Sequence, residues 1–130
     1  MAHTLKIVIS LAVLLAVIIA ISVSTVSTLN AASKELDEHL SRIESSISAN
    51  NWDKATQELS YIQGTWSKTE KTWAMLLDHF EIDNIDTTLS RLSKFIEAKS
   101  TPLSLGELAA LRQYIEHIPE KESLKLKNIL

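Results

Sequence analysis

The chain has 130 residues, which allows one domain at most, and it has no Cys, which excludes a disulfide framework, a thiolate metal site and a thiol nucleophile. Its 13 Lys and Arg against 16 Asp and Glu give a formal net charge of −3 at pH 7, and because Lys6 is the only charged side chain before residue 34, residues 34–130 carry a net charge of −4. This negative charge disfavours nucleic-acid binding because it repels a phosphate backbone.

The first predicted element is a membrane-spanning helix. Residues 7–21 are apolar at 14 of 15 positions, and the uncharged run continues to Ser33. A helix needs about 20 such residues to cross roughly 30 Å of hydrocarbon. We therefore expect a membrane anchor over residues 1–32, with residues 5–29 in contact with lipid.

A cleaved secretory signal is the alternative, since Lys6 supplies the positive start of such a segment. The apolar part of a signal should span only about 7 to 15 residues and end at small residues in positions −3 and −1. Here the apolar run is longer, and cuts after Ala31 or Ala32 put Leu29 or Asn30 at −3. We favour an uncleaved signal-anchor, with a slight charge bias for the N-terminus inside the cell and the large domain outside.

An amphipathic helix over residues 33–49 comes next. Apolar residues spaced by three and four define its buried face, at Leu36, Leu40, Ile43 and Ile47. Nothing before Leu36 forbids a helix, so this helix can continue from the span without a break. Asn50 and Asn51 then supply a turn and a cap.

The second bundle helix carries a heptad pattern. Large apolar side chains recur every seven residues, at Trp52, Leu59, Trp66, Trp73 and Phe80. The stripe predicts a packed helix over 28 residues, about 42 Å long. Gly64 interrupts it, either as a weak point or as a close approach of a neighbouring backbone. Core packing is the default for the three Trp, and a ligand cage or a sugar-stacking surface is the alternative.

The third helix is expected after a break at residues 81–84, with Asp83 or Asn84 as N-cap and Asp86 in the first turn. Its apolar side ends near Lys99 and contains Ile85, Leu89, Leu92, Phe95 and Ile96.

The fourth helix is expected to begin with a capping box, in which Ser104 and Glu107 satisfy each other's backbone amides, and to stop at Pro119. Its buried face contains Leu105, Leu108, Leu111, Ile115 and Ile118. The tail, residues 120–130, is too hydrophobic for a free end, with Leu124, Leu126, Ile129 and Leu130. We expect this tail to dock on the bundle or on a partner.

These elements predict an all-α fold, an N-terminal transmembrane helix followed by an antiparallel bundle of about four helices. The short connections place sequential helices side by side. The bundle domain with its docking C-terminal tail takes residues 33–130. Tetratricopeptide-type repeats are a minor alternative, since no 34-residue self-similarity is evident.

No motif for catalysis is present in the sequence: there is no phosphate loop, no His-Glu-x-x-His, no calcium loop and no nucleophile elbow. We therefore predict no catalytic residue, no cofactor and no enzymatic activity. The densest polar cluster contains His79, Glu81, Asp83, Asn84 and Asp86, and His39 or His117 can approach it in a folded bundle. These side chains suit zinc, but their spacing matches no standard metal motif, so we interpret them as helix caps and predict no metal.

His117, beside Ile118 and Pro119, suits a hydrogen bond to the last carbonyls of its helix, with a pH switch as the alternative. The candidate interaction or polar-cluster residues are Trp66, Trp73, His79, Asp83, Asn84 and His117.

An ordered set of motifs runs through nearly the whole chain: the N-terminal span, Asn51-Trp52-Asp53-Lys54-Ala55, Trp66, Trp73, His79 with Ile82-Asp83-Asn84-Ile85, Arg91-Leu92, and Ile115-Glu116-His117-Ile118-Pro119-Glu120-Lys121-Glu122. With this set the chain resembles a bacterial family called domain of unknown function 4363. The resemblance implies a small single-span protein of spore-forming or related bacteria, found beside or joined to a membrane protein of the YetF type. It implies no catalytic residue.

From these observations we expect a non-enzymatic, membrane-anchored interaction module outside the cytoplasm, accessory to a membrane-protein partner. The alternative is an extracytoplasmic sensor that binds a small ligand or metal between its helices. The sequence predicts no oligomeric state.

Overall fold

The computed structural model describes residues 1–129, and its described side chains leave out residues 125, 126 and 129. It contains four helices: α1 (Ala2–Ser48), α2 (Trp52–Trp73), α3 (His79–Glu97) and α4 (Thr101–Ile129). The expected all-α fold is confirmed. The apolar N-terminal segment and the first amphipathic helix form one element, so the second half of α1 is one of the four bundle helices.

Helix α1 has 47 residues, which corresponds to about 70 Å. Its first half is long and apolar enough to cross a membrane, and most of its side chains are exposed. The hydroxyls of Ser10, Ser22 and Thr28 donate to carbonyls four residues earlier in the same helix, so they add no unpaired donor to this segment. From Leu29 onward, α1 buries the face that the sequence predicted.

The four helices form a closed ring of contacts, because each packs on the next in sequence and α4 packs on α1. The helices alternate in direction, and the core lies between them. It is built from apolar side chains of α1, α3 and α4 together with Leu59, Ile62, Trp66 and Trp73 of α2.

Two helices are followed by a residue in the left-handed backbone conformation. Asn50 follows α1 with a φ of 58°, and Lys99 follows α3 with a φ of 55°. After α3, the amides of Lys99 and Ser100 donate to the carbonyls of Ile96 and Phe95, both at 3.0 Å, which is the Schellman pattern. The predicted cap at Asn51 is confirmed, since its side chain accepts from the Lys54 amide at 3.2 Å.

The predicted length of the second helix is wrong. Helix α2 ends at Trp73, and Phe80, the last position of the heptad stripe, is 73% exposed in α3. The chain turns earlier because Asp78, not Asp83 or Asn84, is the N-cap of α3: its carboxylate accepts from the Glu81 amide at 3.1 Å.

The environment of Gly64 in α2 is open. A Cβ built there meets nothing within 4 Å, so no neighbouring backbone approaches this position and glycine is not required by packing.

The predicted start of the fourth helix is also wrong. Helix α4 begins at Thr101, and Ser104 is buried inside it with its amide donating to the Ser100 carbonyl at 3.0 Å. Pro102 fits the first turn, where its missing amide N–H is not needed. Glu107 forms an ion pair with Arg91 of α3 at 3.1 Å, where the sequence predicted a capping box.

Pro119 does not stop α4, contrary to the prediction. A proline inside a helix leaves the carbonyl four residues earlier without its amide donor, and here that carbonyl belongs to Ile115. The buried hydroxyl of Ser33 in α1 donates to it at 3.1 Å. A side chain of another helix therefore replaces the lost hydrogen bond, and α4 continues to Ile129.

Arg112 holds α4 against α1. Its guanidinium donates to Asp37 at 2.7 Å, to Glu44 at 3.1 Å and to Ser41 at 3.1 Å. Partial burial lowers the Arg112 pKa, but the hydrogen bonds and charges of the two carboxylates outweigh this effect and leave the pKa raised. The group stays charged, and its planar fork fixes the register of the two helices.

Candidate functional site

The six candidate residues lie in three different settings. Trp66 and Trp73 are buried in the core, His79 and Asp83 are exposed on α3, and Asn84 and His117 line a crevice between α3 and α4. The structure therefore brings together Asn84 with His117, and Trp66 with Trp73, rather than all six in one place.

The two tryptophans contact each other inside the bundle. Their ring centroids are 5.5 Å apart and their planes meet at 84°, an edge-to-face arrangement. The exposed fraction is 4% for Trp66 and 0% for Trp73. Both rings belong to the core, which is the default interpretation of the heptad stripe. Among the described residues, the indole N–H of Trp73 has no hydrogen-bond partner.

The indole of Trp66 is tied to α3 by a short hydrogen bond. Its Nε1 donates to Oδ1 of Asp86 at 2.6 Å. Asp86 in turn affects Glu70, one turn after Trp66: burial raises the pKa of Glu70, and so do the charge of Asp86, a hydrogen bond with Asp86 and the charge of Asp83.

The sequence predicts only part of this chain of contacts from Trp66 through Asp86 to Glu70. The sequence placed Asp86 in a polar cluster, but it gave no sign of Glu70, because the contact depends on how α2 and α3 align. The spacing of four residues between Trp66 and Glu70 is the feature of the sequence that could have indicated Glu70, because it puts both residues on the same side of α2.

The crevice between α3 and α4 has a volume of about 290 Å³. The rings of Phe80 and Tyr114 line it together with Asn84 and His117, and an ion pair crosses it, with Nζ of Lys121 2.7 Å from Oε1 of Glu81. The hydrogen bond to Glu81 and its charge raise the pKa of Lys121. The crevice is therefore open and amphipathic, and its Lys121 and Glu81 side chains are paired with each other.

The polar cluster predicted around the second turn is dispersed. Within the part of the chain that the structure describes, no group of three or more His, Asp or Glu is arranged to hold a metal. His117 shares the lining of the crevice with Glu81 and Asn84. His39 lies elsewhere, with Nδ1 3.6 Å from Glu58 of α2 and its ring 4.8 Å from that of Tyr61.

The polar side chains around α3 mainly hold neighbouring helices together. Hydrogen bonds and ion pairs join α2 to α3 through Trp66, and α3 to α4 through Glu81 and Arg91. The crevice adds a surface with two aromatic rings and an imidazole, which suits a small amphipathic ligand or a side chain of another protein.

The sequence model of one protein family, described as "Domain of unknown function (DUF4363)", matches residues 23–129. No curated protein and no solved structure matches the chain. Since the match covers most of the chain, the protein belongs to the DUF4363 family.

Proposed function

We propose that this DUF4363 protein is a non-enzymatic, membrane-anchored helical interaction module, accessory to another membrane protein of the YetF type, with its bundle outside the cytoplasm. The observation that carries the proposal is the construction of α1. One uninterrupted helix has an exposed apolar first half and a second half that is a core helix of the bundle.

A bilayer is the environment that suits the first half of α1. The exposed Leu, Ile and Val side chains of residues 5–23 have no protein neighbours to cover them, and in water such a surface would be unfavourable. About 20 residues cover the hydrocarbon, so the uncharged run suffices for one crossing. The helix then enters the bundle directly, which fixes the bundle at the membrane.

A membrane-embedded partner suits the other end of the chain. Helix α4 returns towards the apolar half of α1, and its Leu124 is 59% exposed in a groove shared with Asn30 and Pro119. An apolar side chain there is available to a partner at the bilayer level. The predicted docking residues Leu126, Ile129 and Leu130 lie outside the described side chains.

The anchor and its orientation are tested with single cysteines, because the chain has none of its own. We expect alkaline carbonate to leave the full-length chain in the membrane. In intact cells, a membrane-impermeant maleimide should label Leu103→Cys at the far end of the bundle and spare Ala2→Cys. Release by carbonate would refute the anchor, and labelling of only Ala2→Cys would reverse the orientation.

The partner is tested by co-expressing the full chain with the YetF-type protein and purifying the pair in mild detergent. We expect co-purification, and a loss of at least about tenfold in affinity for Leu124→Asp, since about 1.4 kcal/mol is sufficient for that factor. Leu103→Asp is the matched control, an exposed leucine of the same helix at the opposite end of the bundle. Recovery of the wild-type chain without the partner would refute the pairing.

The second candidate function, a sensor for a small ligand, is favoured by the crevice around Asn84 and His117. A thermal-shift screen of metals and small amphipathic molecules separates the two functions. A ligand at 100 times its dissociation constant should add about 2.7 kcal/mol of stability, and Asn84→Ala should abolish that gain. A screen without any shift would discard the sensor.

A further inference from the structure

We infer that the turn between α2 and α3 rests on the lipid surface through an apolar rim formed by Met75, Leu76 and Phe80. This inference depends on the proposed membrane anchor and adds a second, separate contact with the bilayer. Three features support it. The turn lies level with the end of the apolar half of α1, and its side chains are apolar and exposed.

The position of the turn follows first from the contact between α1 and α2. His39 of α1 lies 3.6 Å from Glu58 of α2. Trp73, the last residue of α2, follows Glu58 by about 22 Å along the helix axis. Since α2 runs antiparallel to α1, the same distance from His39 towards the N-terminus ends near Ser24.

A second route, through α4 and α3, gives the same level. Ser33 of α1 contacts Ile115 of α4 at 3.1 Å, and Lys121 lies about 9 Å further along α4, which is level with Ser27 of α1. Lys121 contacts Glu81 at 2.7 Å, and Phe80 precedes Glu81. The apolar rim therefore lies beside about residues 24–27 of α1.

This level coincides with the end of the hydrocarbon. If the span starts at Ile7, directly after Lys6, about 20 residues bring it to Val26. The apolar rim thus lies at the boundary between acyl chains and headgroups, where amphipathic surfaces bury apolar side chains by about 5–10 Å.

The side chains of the rim have the exposure expected of a lipid contact. Met75 is 80% exposed and Phe80 is 73% exposed, the two largest values for the large apolar side chains described in the bundle. Residues 74–83 contain no Lys or Arg that could attract an anionic headgroup, and Lys121, which approaches from α4, is paired with Glu81. The apolar side chains are therefore what the contact depends on, and we expect it with neutral phosphatidylcholine.

The test uses the full-length chain in phosphatidylcholine vesicles that carry a spin-labelled quencher lipid, with the polarity-sensitive dye NBD on a single cysteine. Met75→Cys and Phe80→Cys probe the rim. Leu103→Cys is the matched control, an exposed apolar residue about 27 Å further from the membrane along α4. Val13→Cys, in the apolar half of α1, reports whether the anchor itself is in the bilayer.

We expect the rim labels to lose roughly half as much fluorescence as the Val13 label, or more, because interfacial side chains enter the boundary by about 5–10 Å. A quencher near the headgroups should act more strongly on the rim, and a deep quencher more strongly on Val13. The Leu103 label should be unaffected.

The failure modes are distinct. A quenched Val13 label with rim labels that behave like the Leu103 label would overturn the inference and leave the anchor in place. Rim labels with a blue-shifted emission but no quenching by lipid would show that a partner or a second copy covers the rim, which also overturns it. An unquenched Val13 label would refute the proposed anchor, and the inference with it.

Discussion

Ser33→Ala removes the hydroxyl that donates to the Ile115 carbonyl. That carbonyl lies at the buried contact of α1 and α4, and Pro119 offers it no amide. An acceptor left without a partner in such a place typically costs about 1–3 kcal/mol of unfolding free energy. We expect Ser33→Ala to lower the stability of the protein by that amount.

Pro119→Ala should make the hydrogen bond from Ser33 to the Ile115 carbonyl less important for stability. The substituted alanine would supply the missing amide to the Ile115 carbonyl, so the Ser33 hydroxyl would become redundant. In that background, Ser33→Ala should cost only a few tenths of a kcal/mol, so the double-mutant cycle should give a coupling energy close to the full cost of Ser33→Ala, about 1–3 kcal/mol. Pro119→Ala alone should stabilise the helix by up to about 3 kcal/mol, less the packing that the proline ring loses.

The assay is guanidinium unfolding of the four full-length variants in detergent micelles, followed by the fluorescence of the buried indoles. Ser46→Ala is the matched control: Ser46 is also buried in α1, but its hydroxyl donates at 2.8 Å to Arg42 in the same helix. Two results would refute the role of Ser33 as a replacement for the hydrogen bond that Pro119 cannot donate. One is an equal loss of stability for Ser33→Ala and Ser46→Ala, and the other is a cost of Ser33→Ala that does not change when Pro119 is replaced.

Three further predictions concern single positions. Gly64→Ala should raise the free energy of unfolding by about 0.5–1 kcal/mol, because Ala favours the helix and its Cβ meets open space; a loss of stability in denaturant unfolding would contradict this. Lys99→Gly should also stabilise, by about 0.5–1 kcal/mol, since glycine adopts the φ of 55° without strain; the midpoint of thermal unfolding reports it, with Lys94→Gly, inside α3, as a destabilised control. Because the pKa of Glu70 is raised, its contribution to stability is present in acid and is lost as the pH rises through that pKa. Glu70→Gln should therefore stabilise by a few tenths of a kcal/mol at pH 7 and by nothing near pH 3, as measured by unfolding at both pH values; an equal effect at both would show that charge is not the cause.

The helical faces could be predicted from the sequence because they depend on local spacing. The apolar positions of α1 from Leu36 to Ile47 are buried as expected, and so are Leu108 to Ile118 of α4. The cap at Asn51 also follows a local rule, since an Asn side chain reaches an amide three residues ahead.

The predicted helix ends that the structure contradicts depend on residues that lie outside the local sequence pattern. Pro119 ends a helix by a local rule, but here Ser33, 82 residues before Ile115 in sequence, supplies the lost donor. The heptad stripe of α2 continued past Trp73 in the sequence, and nothing in its period showed that Asp78 would cap the next helix. For the candidate site, the sequence left open whether His39 or His117 lies near Asn84, and the structure places His117 there. The contact of Trp66 with Asp86 could not be predicted because it depends on how α2 and α3 align.

The uninterrupted course of α1 has a mechanical consequence. If the apolar half of α1 spans a bilayer as proposed, a change in its tilt moves the whole bundle as a lever, because no break in the helix separates the two. From Val26 to Ser48 the helix measures about 33 Å, so a tilt of about 10° shifts the distal end sideways by about 6 Å. Bilayer thickness sets such tilts, and the loop after Ser48 is where the displacement would be largest.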